Sequence, residues 1–93
     1  MNKKQRINEA IHALALLEES LVGGHLSIDE NRTVKEIIIL EFRAKPKNFI
    51  VYINATGYNA KFLIKEMKKV AFGGGSPLEL KHEWIDEGRS IAL

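Results

Sequence analysis

At 93 residues, with 45% hydrophobic and 28% charged side chains, the chain is sized and composed for one globular domain, 1–93, and excludes disorder. A formal net charge of +2 is too small to argue for nucleic acid by itself, so charge must be judged by where it clusters. The absence of cysteine excludes disulfides, thiolate metal sites and cysteine nucleophiles.

The N-terminal stretch MNKKQRINEA has no apolar run of the kind that forms a secretory signal. No apolar segment approaches the ~20 residues of a membrane span. The expectation is a soluble cytoplasmic protein with no membrane partner. On that expectation the glycosylation sequon Asn54-Ala55-Thr56 is a chance match.

Lys4–Val22 reads as the first helix. Ile7, Ala10, Ile11, Leu14, Leu17 and Leu21 recur at three- and four-residue steps and form one apolar stripe. Gly23-Gly24 then supplies a helix stop. Leu16 falls outside the stripe, beside Gln5 and His12, and is a candidate contact residue.

His25–Asp29 alternates Leu26 and Ile28 as a short strand, and Asp29–Arg32 (DENR) has turn chemistry. Thr33–Thr56 is the longest β-branched and aromatic run. Ala44–Asn48 (AKPKN) breaks it into two strands, because Pro46 removes a ladder donor. In the first of these strands Val34, Ile38, Leu40 and Phe42 share a face. In the second Phe49, Val51, Ile53 and Ala55 do, opposite Ile50, Tyr52 and Asn54. Residues 37–40 are apolar on both faces, so Ile37 and Ile39 need cover of their own, and a second copy of the chain is one candidate.

Tyr58–Ala71 is the second helix, with Ala60, Leu63, Ile64, Met67, Val70 and Ala71 inward. Thr56 or Asn59 can cap its start, and Gly73-Gly74-Gly75 ends it. The tail Ser76–Leu93 is read as two strands, with Leu78, Leu80, His82 and Trp84 on one face and Asp86–Arg89 as the turn into Ser90–Leu93. The helical alternative rests on Ser76-Pro77-Leu78-Glu79, a capping box with proline at the first helical position.

Enzyme signals are weak. His12, His25 and His82 lie far apart, without the i, i+4 spacing of a helical metal pair, so no metal and no cofactor is expected. Phosphate loops normally run from a strand into a helix, whereas Gly73, Gly74, Gly75 and Ser76 follow one. An anion-binding nest there ranks below simple helix termination.

The outer face of the second helix is the strongest functional signal. Tyr58, Lys61, Phe62, Lys65, Lys69 and Phe72 interleave cations with rings, with Lys68 on the flank. Lysines neutralise phosphates, while rings stack on bases or anchor a protein partner. A solvated lysine face is the competing account. In element order alone, helix–strand–strand–strand–helix over Lys4–Phe72, the chain resembles double-stranded-RNA-binding domains, which implies an RNA partner. Gly57-Tyr58-Asn59-Ala60-Lys61 departs from that family's basic helix-start motif, and the connections are shorter.

The fold expected is α+β, an antiparallel sheet of three to five strands with two helices on one face, in the order α-β-β-β-α-β-β. The function expected is a non-enzymatic regulatory or inhibitory binding protein. It would act as a homo-oligomer through Leu16, Ile37 and Ile39, or by docking on another macromolecule. An RNA- or DNA-binding module is the alternative, and a phosphorylated ligand at Gly73–Ser76 ranks third.

Overall fold

A computed structural model describes residues 2–81. The order is α1 (Lys3–Leu17), β1 (Leu21–Ile28), β2 (Glu36–Phe42), β3 (Phe49–Asn54), α2 (Ala60–Ala71) and β4 (Glu79–Leu80). The strands form one antiparallel sheet in the spatial order β1-β2-β3-β4. This is the expected small α+β domain, with two helices packed on one face of the sheet. The second tail strand and its turn, with His82 and Trp84, fall outside the described residues.

The core face follows from strand alternation. Leu26, Ile38 and Ile53 line up across three strands and are fully buried, as is Leu40 beside them. Onto these side chains α1 lays Ile7, Ile11 and Leu14, and α2 lays Leu63, Met67 and Val70. Dispersion and the hydrophobic effect act together here, at ~1.5–3 kcal/mol for each such side chain taken from water.

The opposite sheet face carries the row His25, Ile39, Tyr52 and Leu80, one residue from each strand. Tyr52 is buried and Ile37 and Ile39 are half-buried, which agrees with apolar residues on both faces of β2. Phe49 keeps the face expected of it, paired with Phe42, but is half-exposed there and stacks on the Phe42 ring with centroids 5.3 Å apart.

The first helix is shorter than its periodicity suggests. It ends at Leu17 and not Val22, the Glu18 N–H closes the last turn on the Leu14 carbonyl, and the Glu18 backbone is already extended. Leu17 is therefore exposed, and Leu21 is buried as the first residue of β1, opposite Phe42. Gly23-Gly24 is not a helix stop but lies inside β1, next to a register shift between Leu21 and Gly23. A Cβ on Gly24 would stand 2.1 Å from the Ile39 carbonyl oxygen, so the glycine permits a close approach of β1 to β2. Pairing with β2 outweighs the helical period because it buries Leu21 and satisfies the backbone groups of β1 that face β2.

β1 is an edge strand, and α1 closes part of that edge. The Leu26 N–H points away from β2 and donates to Asn8 Oδ1 at 3.0 Å. At the start of α1, Asn2 and Gln5 form a reciprocal capping box. The Lys3 ammonium reaches the Glu36 carboxylate and, at 2.9 Å, the Ala55 carbonyl. These contacts fix the beginning of α1 to the end of the sheet from which α2 also sets out.

Candidate functional site

Between β3 and α2 the chain turns through Gly57, whose φ of 81° is open to glycine at low cost. Asn59 caps α2, its side chain accepting from the Phe62 N–H at 2.9 Å. Thr56, the other candidate cap, instead accepts from the N–H groups of Lys35 and Glu36 at 3.0 and 3.1 Å, and so ties β2 to the end of β3. Both helices thus begin at the same end of the sheet, and their positive dipole ends add there.

A groove of about 520 Å³ opens between them, lined by Arg6 of α1 and by Asn59, Lys61, Phe62, Ile64, Lys65 and Lys68 of α2 and its cap. Arg6, Lys61, Lys65 and Lys68 bring four positive charges to it, and no acidic side chain lines it. Among the described residues, none of the four pairs with a carboxylate; the ion pairs there are Lys3–Glu36, Arg32–Asp29 and Lys69–Glu66. Neither helix has an acidic residue in its first turn, where a carboxylate would complement the dipole. Lys61 sits in that turn and works against it. The groove is therefore a region of positive potential, with Lys65 also acting on the nearby Glu66 carboxylate.

Phe62 and Ile64 form the apolar part of the wall, and Phe62 is the aromatic one. Tyr58 stacks on it with ring centroids 5.3 Å apart and planes 26° from parallel, which holds the ring against the mouth of the groove.

Of the side chains singled out on the second helix, Lys61, Phe62 and Lys65 line the groove and Tyr58 buttresses it. Lys69 does not belong with them, because its ammonium lies 2.7 Å from the Glu66 carboxylate. Phe72 is the C-cap of α2, exposed and outside the groove. Lys68, read from sequence as a flank residue, takes part in the lining in place of Lys69. Arg6 has no sequence signal, since its role arises from the packing of α1 beside α2.

The sequence reading also missed Glu66, which is buried at 1% exposure on the other side of α2. Its Oε2 faces Lys69, and its Oε1 accepts from the Ser76 hydroxyl at 3.0 Å. The hydrogen bond from Lys69, aided by the one from Ser76, holds the Glu66 carboxyl below the usual carboxylate range against the opposing effect of burial.

The glycine run is built as a helix end. Gly73 adopts φ 92°, its N–H donates to the Val70 carbonyl, and the Gly74 N–H donates to the Lys69 carbonyl at 2.7 Å. The Ser76 N–H donates to the Glu79 carboxylate at 3.1 Å. Three of the four donors a nest at Gly73, Gly74, Gly75 and Ser76 would offer are thus engaged, and carboxylates of Glu66 and Glu79 stand beside them. The Ser76–Glu79 contact is one arm of the capping box, but here it closes a turn into β4 instead of opening a helix.

Leu16 is exposed at the end of α1, on the far side of the molecule from the half-buried Ile37 and Ile39 of the sheet's other face. Among the described residues no group of three or more His, Asp or Glu side chains is placed to hold a metal ion. No described helix is long and apolar enough to cross a membrane.

Comparisons with known proteins find no matching family model, no similar curated protein and no similar solved structure. The fold and the groove are what define the chain.

Proposed function

We propose that this protein is a non-enzymatic docking module that holds the phosphate backbone of a nucleic acid in the groove between α1 and α2. One observation carries the reading: Arg6, Lys61, Lys65 and Lys68 converge on a single groove with no carboxylate among its lining residues. Ammonium and guanidinium groups at a helix N-terminal end match the charge and the acceptor geometry of phosphate oxygens. Phe62 at the groove mouth adds an apolar surface against sugar or base.

Fluorescence anisotropy with labelled single-stranded and duplex RNA and DNA tests this over a salt series. Each phosphate contact contributes about −0.9 to the slope of log K against log salt on duplex DNA and about −0.7 on single strands. Contacts by all four cations would lower duplex affinity roughly a hundredfold between 50 and 200 mM salt. Changing Lys61, Lys65, Lys68 or Arg6 singly to Gln should reduce the slope by about one contact. Binding that is indifferent to salt and to these changes refutes the reading. A macromolecular ligand lost on Phe62→Ala but insensitive to salt would identify a protein partner instead.

A further inference from the structure

Phe62 and Tyr58 form an aromatic pair that the hydrophobic core does not use. Neither belongs to the buried cluster between the helices and the sheet, and they are 37% and 38% exposed. Each ring is instead held by the other, in the stacked geometry already described. Asn59, between them in the chain, accepts from the Phe62 N–H and so fixes Phe62 in the first turn of α2. The Tyr58 N–H donates to the Ala55 carbonyl at 3.3 Å, which closes the turn after β3 and roots the backing ring. A ring held in this way has little freedom left to lose when a flat partner packs on it.

Phe62 stands beside a track of cations. Lys61, Lys65 and Lys68 follow one another at four- and three-residue steps, a stripe about 10 Å long on α2. Arg6 of α1 lines the same groove. At about 3.4 Å of axis per phosphate, the stripe matches roughly three phosphates of one strand.

We propose that the occupant of the groove is a single strand of nucleic acid. Its phosphates lie on Arg6, Lys61, Lys65 and Lys68, and one unstacked base lies on the Phe62 ring. The inference rests on the nucleic-acid reading of the groove and adds the strandedness of the ligand. Bases in a duplex are stacked on their neighbours and show only their edges in the grooves, so a duplex has no face to offer Phe62. A single strand offers a π-face at every base, and rings beside a cationic track are the means of sequence-tolerant single-strand binding.

Fluorescence anisotropy with three labelled probes tests this: a mixed-sequence strand, the same strand annealed to its complement, and an abasic strand of equal length. The base-bearing strand should bind more tightly than the duplex. It should exceed the abasic strand by roughly five- to 150-fold, the worth of one base stacked on an aromatic ring. Phe62→Leu keeps an apolar side chain but has no π-face, and should remove most of that margin. The salt slope on the strand should stay unchanged in this variant, because no phosphate contact is lost. Phe62→Trp should preserve the margin. Circular dichroism confirms that both variants, at a position outside the core, are folded. An abasic strand bound as tightly as the base-bearing one overturns the inference, as does a preference for duplex or a margin that survives Phe62→Leu. In those cases salt-dependent binding still upholds the groove reading. The absence of salt-dependent binding to every probe overturns both.

Discussion

Gly24 offers the sharpest test of the packing. Replacing a glycine with alanine at a compatible position stabilises a protein by about 0.4–1 kcal/mol, because the unfolded chain loses conformational freedom. At Gly24 the structure reverses that sign. An added Cβ would lie 2.1 Å from the Ile39 oxygen and 3.2 Å from both the Ile39 carbonyl carbon and the Leu40 Cα, all backbone atoms of the paired strand. Ordinary contact begins near 3.4 Å, so β1 would have to move away from β2 by roughly an ångström. That movement strains the strand pairing of Leu26 with Ile38 and, through Leu26, the contact with Asn8. Overpacking of this kind costs ~1–3 kcal/mol, and each kcal/mol is worth about 4–8 °C in Tm at this chain length. Gly75 is the internal control. A Cβ there meets nothing nearer than a Glu79 carboxylate oxygen at 4.0 Å, so Gly75→Ala should be neutral or stabilising by ~0.4–1 kcal/mol. Thermal and urea denaturation of the two variants beside the parent chain decide the matter. If Gly24→Ala proves as stable as the parent, the close approach of the strands is wrong, and with it the reason for glycine at this position.

Two further predictions concern polar groups that order the fold. Asn8→Ala removes the acceptor for the Leu26 N–H, and leaving that donor unpaired should cost ~1–3 kcal/mol in urea denaturation and speed amide exchange at Leu26; exchange as slow as in the parent would mean that the edge is protected by other means. Glu66 has a folded-state pKa below its ordinary 4.5, so its contribution to stability is present above that value and is lost as pH falls through the lowered one. The Tm advantage of the parent over Glu66→Gln should accordingly be full near neutral pH and shrink below pH 4.5, and a gap that persists unchanged in acid would deny the carboxylate its tie to Lys69 and Ser76.

Local pattern was enough for much of this architecture. The β2–β3 hairpin was legible because period-two burial and a proline break are written in consecutive residues. The second helix was legible because Leu63, Met67 and Val70 repeat at helical spacing before three glycines. A lysine-rich outer face could likewise be counted from residues 58–72, and Lys61, Phe62 and Lys65 were found that way. Period alone misled where two periods overlapped. Leu14, Leu17 and Leu21 continue a helical stripe, yet Leu21 also alternates with a strand's core face once Gly23-Gly24 lets β1 bulge. The choice between them rests on pairing with Phe42, twenty-one residues away.

What the amino-acid sequence determined by itself was therefore the set of amphipathic segments: which stretches alternate at two, which repeat near four, and where glycine or proline interrupts them. Tertiary structure decided how those segments meet. It placed Arg6 beside Lys61, Lys65 and Lys68, although more than fifty residues separate Arg6 from Lys61 along the chain. It withdrew Lys69 from that face by burying Glu66 next to it. It also engaged three of the four backbone donors at Gly73–Ser76, two in helix termination and one in the turn into β4. The physical reason is the same in each case. Periodicity is a property of the backbone's own geometry and can be read locally, whereas the ionic partner of a side chain depends on which surface packing brings within a few ångströms of it.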